Sequence, residues 1–491
     1  MPKFVFLWTD IALFLLVAAV LGYAWHVRRS PTLRATWGRV GRDAPAMCSA
    51  VVLAAFVAVG LLDSIHFRPQ LPPVPGAAAD APPIYAPAVQ SALDSLLAGS
   101  VLARPEKTYS APLAARQFTK ETELIEGHPV RDFPRLRSGG AHLDEPETQL
   151  LGDVLRRLAW GLAGGVAAAL AGGLLLCAAQ ARARGGWRRA LPAMARGRTD
   201  VPWRAIWTTY ALLCLTVGAV AGLASGYHVF GTDRTGNDVL WQALKSVRTA
   251  LIIGSLTTMA MLPPAIGFGI AAGYFKGKVD DAIQYLYTTL TSIPGVLLVA
   301  ACALMMQVYI DTHPDLFDTS AARADLRLFL LCMILGLTGW SGLCRLLRAE
   351  TLKLRELEYV QAARAFGVSN WRIMRRHLLP NVMHIVLITA VLEFSGLVLY
   401  EAVLSYLGIG VDPSMNSFGS MIDSARLEMS RDPMVWWNLL TAFVFMLALV
   451  LAANLFADAV REAFDPRARR YRPGRLAEGV PPATADTGVP R

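Results

Sequence analysis

The sequence predicts an all-α polytopic membrane protein with about nine transmembrane helices, and three observations carry that expectation. Of its 491 residues, 54% are hydrophobic and 17% charged, with a mean hydropathy of +0.41; a soluble domain carries about 25% charged residues. The apolar residues gather in blocks of about 20, long enough for a helix to cross about 30 Å of hydrocarbon. Lys and Arg collect in alternate loops, as they do on the cytoplasmic side of a membrane. That retention accounts for the net charge of +10 without a nucleic-acid partner. The same numbers exclude a disordered chain, a disulfide scaffold and an ordinary cytosolic enzyme. Cys48, Cys177, Cys214, Cys302, Cys332 and Cys344 lie in or beside apolar runs without a CxxC pair and read as small buried hydrophobes.

The spans fall at about 4–26, 46–64, 157–179, 206–226, 249–274, 288–310, 327–347, 382–407 and 436–458. Arg28, Arg29, Arg34, Arg39 and Arg42 follow the first span, which has no small-residue cleavage site. It reads as uncleaved, with the N-terminus outside and the C-terminus inside. Residues 1–64 hold two spans. Residues 65–150 form an outside loop whose first part is rich in Pro and Ala (Pro69, Pro72, Pro73, Pro75, Pro82, Pro83, Pro87); the loop reads as a small cap or as loosely ordered chain. Residues 151–204 add a third span and a basic loop with Arg182, Arg184, Arg188, Arg189, Arg196, Arg198 and Arg204. The remaining spans occupy 205–467, and a polar tail, 468–491, reads as disordered. Small residues four apart (Gly161 and Gly165; Gly218, Gly222 and Gly226; Gly269 and Gly273) allow helices to approach closely in a bilayer. Pro263 and Pro264 are expected to kink or break the fifth span.

The nearest approach to a phosphate loop, Gly273-Tyr-Phe-Lys-Gly277-Lys278-Val279, has its first Gly one position late and Val279 where a hydroxyl is needed. No HExxH or Gly-x-Ser-x-Gly occurs. His377 and His384, seven apart, read as structural or interfacial. Glu393 and Glu401 lie eight apart in the eighth span, so they project to similar sides. They suit either the proton relay of an ion-driven secondary transporter or hydrogen bonding inside a bundle.

The most informative segment is 356–381. Its first part is built of good helix formers, with Val360, Ala363 and Phe366 on one face and Tyr359 and Ala362 on another. Gly367 supplies a left-handed stop. Ser369 or Asn370 can cap a second short helix from Trp371 to Leu379, and Pro380 closes it or begins the next span. Arg372, Arg375 and Arg376 can pair with acidic groups or lipid headgroups. This knuckle reads as a docking element or as an interfacial amphipathic loop.

The segment resembles the EAA loop of ABC importer permeases: Gln361-Ala362-Ala363, three residues, Gly367, nine residues, then His377-Leu378-Leu379-Pro380. Gln361 stands where Glu is usual and His377 where Ile is. Further blocks are similar to the C-type subunit of the dipeptide/oligopeptide/nickel group. They are Phe230-Gly-Thr-Asp-Arg-Thr-Gly-Asn-Asp-Val-Leu240, the run from Gly273 to Asp280, Ser292-Ile-Pro294, Leu404-Ser-Tyr-Leu-Gly-Ile-Gly-Val411, and Asn454 through Arg467. They occur in family order over about 205–467, and residues 1–204 depart from the family.

The resemblance implies a type I ABC importer transmembrane domain with a six-helix core, in a bacterial inner membrane, forming half of a translocation path. It implies a B-type permease as the other half, two ABC ATPase subunits that bind ATP and Mg, and a periplasmic solute-binding protein. No catalysis, cofactor or metal is expected in this chain. The implied cargo is a di- or oligopeptide or peptide-like solute, with nickel or an antibiotic peptide as alternatives. Glu358, Tyr359, Gln361, Ala362, Ala363, Arg364, Phe366, Gly367, Arg372, Leu379 and Pro380 would dock in a cleft of an ATPase. At the outer end, Gly231 and Gly236 allow tight turns. Thr235 and Asp238 are spaced like a capping box, and Val239, Leu240, Ala243, Leu244 and Val247 share an apolar face. That pattern reads as a helix lying on the outer membrane surface. Gly231, Thr232, Asp233, Gly236 and Asp238 would form a gate or binding-protein contact there, or a structural collar.

Overall fold

A computed structural model describes residues 2–71, 84–125, 128–184, 200–317 and 319–464. Pro72, Pro73, Pro75, Pro82 and Pro83, the loop arginines Arg188, Arg189, Arg196 and Arg198, and the tail 468–491 lie outside the described residues. Among the described residues, nine helices are long and apolar enough to cross a membrane. They are Trp8–Arg29, Ala44–Asp63, Pro146–Arg182, Trp203–Ala224, Val239–Phe275, Gly295–Thr312, Ser320–Arg355, Asn370–Tyr406 and Trp437–Phe464, called here the first to ninth spans.

Near the chain start, Lys3–Phe4 pairs with His66–Arg68, which pairs in turn with Gln90–Ser91, in a three-stranded antiparallel sheet. The segment before the first span and the loop after the second therefore share one end of the bundle. That loop folds as a cap over its described part. Ser91 and Asp94 form a capping box on the helix Ala92–Leu97, Glu121–Ile125 pairs with His128–Asp132, and Leu93, Leu102, Tyr109, Leu136 and Leu143 are buried.

Small residues set the closest helix contacts. A Cβ on Gly165 would stand 2.6 Å from the Cys214 carbonyl oxygen, and one on Gly273 2.6 Å from Thr351 Cβ. The third span thus lies backbone to backbone on the fourth, and the inner half of the fifth lies on the seventh.

Three expectations need correction. The helix expected to lie on the outer surface from Val239 is the first turns of the fifth span, which runs unbroken from Val239 to Phe275. Its charges are neutralised by the N-terminal part of the chain, so the helix continues through them. Lys245 Nζ meets Asp63 at 3.1 Å and Asp94 at 2.8 Å. Arg248 Nη2 meets Asp10 at 2.6 Å, Thr9 Oγ1 at 2.9 Å and Asp325 at 3.4 Å. Asp10 also takes His66 Nδ1 at 2.7 Å. Second, of the kink or break expected at Pro263 and Pro264 the break does not occur, since both lie inside this helix without ending it; in a bundle, neighbouring groups can satisfy backbone that proline frees. Third, the sixth span starts at Gly295 instead of 288, because Ile293 and Pro294 are extended and divide it from an amphipathic helix, Gly277–Ser292.

Candidate functional site

At the inner end, Glu358–Ala365 is a helix, and Gly367 follows with φ +75°. Val368 N–H donates to the Ala363 carbonyl and Gly367 N–H to the Arg364 carbonyl, each at 3.1 Å. This is the paired closure of a Schellman turn. The chain restarts at Asn370, passes a π-helical stretch, Met374–Leu378, and continues into Leu379–Tyr406. The second arm is therefore the inner end of the eighth span, where a separate helix from Trp371 to Leu379 was expected. Pro380 sits in the first turn of its main segment, where a missing N–H costs nothing. Ser369 holds the cap position without a side-chain bond, while Asn370 accepts from the Tyr274 hydroxyl at 2.8 Å.

The two arms rest on a common apolar floor. Val360, Ile373, Leu378 and Val382 are buried with Tyr274, Leu343 and Leu347, and Ala363, Val368 and Leu379 pack at its edge. Asn381 Nδ2 donates to the Tyr359 hydroxyl at 3.1 Å and to the His377 carbonyl at 2.6 Å. Gln361 bends back to donate to the Glu356 carbonyl at 3.0 Å. Arg348 grips Asp280 with two bonds of 2.6 Å, and this grip holds the Asp280 carboxyl below its ordinary range. The expected common face of Val360, Ala363 and Phe366 divides. Val360 is buried, whereas Phe366 is 87% exposed and stands with Trp371, 69% exposed, on either side of Gly367. Glu358, Tyr359, Gln361, Ala362, Arg364, Gly367, Arg372 and Pro380 are exposed too. Among the described residues, Arg364, Arg372, Arg375 and Arg376 enter no ion pair.

At the outer end, the cap covers the block 231–238. Gly231, Thr232, Gly236 and Asp238 are buried and Asp233 is half-buried, which leaves Arg234 and Thr235 exposed. Thr232 N–H donates to the Ser110 carbonyl at 3.1 Å, and its hydroxyl to the Thr108 carbonyl at 2.9 Å. Trp437 Nε1 donates to the Thr232 carbonyl at 3.0 Å. Asp233 gathers Thr235 N–H at 2.8 Å, Asn237 N–H at 2.9 Å and Gln242 Nε2 at 2.7 Å. The expected capping box is replaced by Asp238 acting alone as N-cap, accepting Trp241 N–H at 3.0 Å.

Beneath this block lies a buried clamp that local sequence does not announce. His228 Nδ1 is 2.7 Å from Asp238 and its Nε2 3.3 Å from Glu106 of the cap. Glu106 also accepts from the N–H groups of Arg137, Ser138 and Gly139 at 2.8, 2.8 and 3.0 Å. Burial works against the charged ring, but the two carboxylates outweigh it and lift the His228 pKa to about 9. Burial likewise opposes the Glu106 carboxylate, and the ring with the three N–H groups holds it down at about 2.

Glu393 and Glu401 do not share an environment. Glu401 is buried and accepts the Ser405 hydroxyl at 2.6 Å, whereas Glu393 is exposed. Their spacing of eight leaves a residual rotation of about 80° on an ideal helix, enough to part them. Among the described residues no group of three His, Cys, Asp or Glu is placed to hold a metal ion.

The model for binding-protein-dependent transport system inner membrane components matches residues 265–470. The chain is 30% identical over 251 residues to the oligopeptide transport system permease protein OppC of Haemophilus influenzae, covering 51% of this chain and 74% of that one. It is 29% identical over 241 residues to the dipeptide transport system permease protein DppC of Lactococcus lactis, covering 49% and 64%. Among solved structures, inward-facing MetNI methionine ABC transporter aligns with TM-score 0.36 and 17% identity over 46% of this chain and 98% of that one.

Proposed function

Since the chain belongs to the family of binding-protein-dependent transport system inner membrane components, as a multi-pass permease subunit of a bacterial ABC importer, we propose that it forms one half of a path for di- or oligopeptides. Peptide cargo is inferred from the names of its relatives. A related B-type permease forms the other half, and a periplasmic solute-binding protein delivers cargo to the outer end. Two ATPase subunits bind ATP and Mg and perform all the hydrolysis. This chain carries no cofactor and does no chemistry of its own.

The observation that carries this reading is the inner knuckle. A Schellman turn fixes the corner, a buried floor of Val360, Ile373 and Leu378 fixes its angle to the fifth and seventh spans, and Phe366 and Trp371 project from it into open space. Two large apolar side chains on a rigid corner, flanked by free arginines, suit insertion into a cleft lined with acidic groups. Closure of the ATPases then moves the knuckle and the eighth span as one piece, since no break separates them.

Phe366 is mostly exposed, so Phe366→Asp leaves the fold intact and removes an anchor from the contact, a loss of about 2–4 kcal/mol at a hot spot. The variant is expected to insert and melt as the parent does, yet to lose copurification with the ATPases and cargo-stimulated ATP hydrolysis. Undiminished assembly and hydrolysis would assign the knuckle to the lipid surface instead.

A further inference from the structure

We propose that Glu393 faces the translocation path and receives a cationic group of the cargo, such as the ammonium of a peptide N-terminus; this rests on the permease reading above. Glu393 lies about 20 Å from the outer end of the eighth span and about 35 Å from its inner end, and Phe394 beside it packs on Gly254, 15 residues into the 37-residue fifth span. That is the depth at which an ionised side chain is most costly. Three other charged residues in the spans have partners. Arg248 has Asp10 and Asp325, Arg327 has Asp412 at 3.3 Å, and Glu401 has Ser405. Glu393 has no hydrogen bond or ion pair among the described residues, and it is exposed.

The same face continues outward through Gly396 and Tyr400, three and seven residues on. A Cβ on Gly396 would meet nothing within 4 Å. The Tyr400 hydroxyl, which makes no hydrogen bond among the described residues, lies 3.7 Å from where a Gly295 Cβ would stand. A carboxylate at the midplane, a vacant notch above it and an unused hydroxyl beyond make a polar track across an otherwise apolar helix face. Lipid is a poor neighbour for that track, and a water-filled path with a passing ammonium is a good one. One carboxylate without a second clamp attracts a cation and still lets it go, as conduction requires.

The test uses the complete complex in proteoliposomes with Gly396→Cys as a reporter. Its labelling is compared for a cationic (trimethylammonioethyl) and an anionic (sulfonatoethyl) methanethiosulfonate. Each rate is divided by the rate with a free thiol, and labelling of the unaltered complex is subtracted. A preference for the cationic reagent of about tenfold or more is expected, and Glu393→Gln in the same background should abolish it. Labelling by neither reagent would put this face against lipid or the second permease and overturn the proposal. Equal labelling, or a preference that survives Glu393→Gln, would overturn it too. ATP-driven, binding-protein-dependent uptake by the unaltered complex is measured in parallel. If that uptake is absent the permease reading falls, whereas intact uptake with failed labelling removes only the role of Glu393.

Discussion

Gly236 outside and Gly367 inside both take a left-handed backbone, with φ +81° and +75°, yet their surroundings are opposite. A Cβ on Gly236 would run into the Glu106 carbonyl oxygen, whereas one on Gly367 would meet nothing within 4 Å. The outer turn is walled in by the cap, by Trp437 and by a buried histidine with two carboxylates. Among the described residues the inner turn is tied to its own helix and to the floor beneath it, and to nothing above. The chain is thus closed, among the described residues, around its outer corner and keeps its open, unpaired surface at the inner one, the corner proposed above to dock.

That contrast is broken most severely at His228. His228→Ala leaves Glu106 and Asp238 buried without the cation between them, at a cost of about 3–5 kcal/mol. A large fall in melting temperature and new protease cuts in the cap are expected; an unchanged melting temperature would show that the clamp holds nothing. Gly236→Ala comes next. Left-handed strain of about 1–2 kcal/mol joins an overlap with backbone costing about 1–3 kcal/mol, again read by thermal unfolding.

A smaller change follows from pH. The folded pKa of His228 is about 9 against an ordinary 6.5, so its stabilisation is complete below pH 6.5 and is lost as pH rises through 9. Glu106 is held at about 2 against 4.5, so its share is complete above pH 4.5 and is lost only as pH falls toward 2. Hydrogen exchange in the cap should therefore be slowest between about pH 4.5 and 6.5, after correction for intrinsic rates, and should quicken toward pH 9. Protection that stays constant across that rise would detach His228 from the clamp. The smallest effect belongs to the inner turn. Gly367→Ala meets only left-handed strain, about 1–2 kcal/mol. A loss equal to that of Gly236→Ala would erase the difference between the two corners.

Hydrophobic blocks and alternating basic loops locate all nine spans, because burial in lipid is a property of each segment by itself. The Schellman turn was equally legible, since a helix-forming run ending in Gly is local chemistry. What escaped the sequence was long-range compensation. Lys245 and Arg248 look like the end of an apolar run until Asp63, Asp94 and Asp10 arrive from more than a hundred residues away. His228 and Glu106 are 122 residues apart, so no window of sequence joins them. Helical periodicity puts Phe366 on one face with Val360 and Ala363, but Phe366 falls at the helix end, where the backbone has already begun to turn. The division between Gly277–Ser292 and Gly295–Thr312 carried a signal in Pro294 that hydropathy averaging hid.

The fifth span is a single unbroken helix of 37 residues, about 54 Å along its axis. Ion pairs bolt its outer end to the first and second spans and the cap. Its inner end touches the knuckle's approach through Lys276 and Glu356 at 2.9 Å. A beam pinned at one end converts a push at the other into rotation. A displacement of about 5 Å at its inner end, one helical turn, would swing it by about 5° and barely shift its outer tip. Paired distance probes on this helix should accordingly record travel that dwindles from the Phe275 end toward the Val239 end.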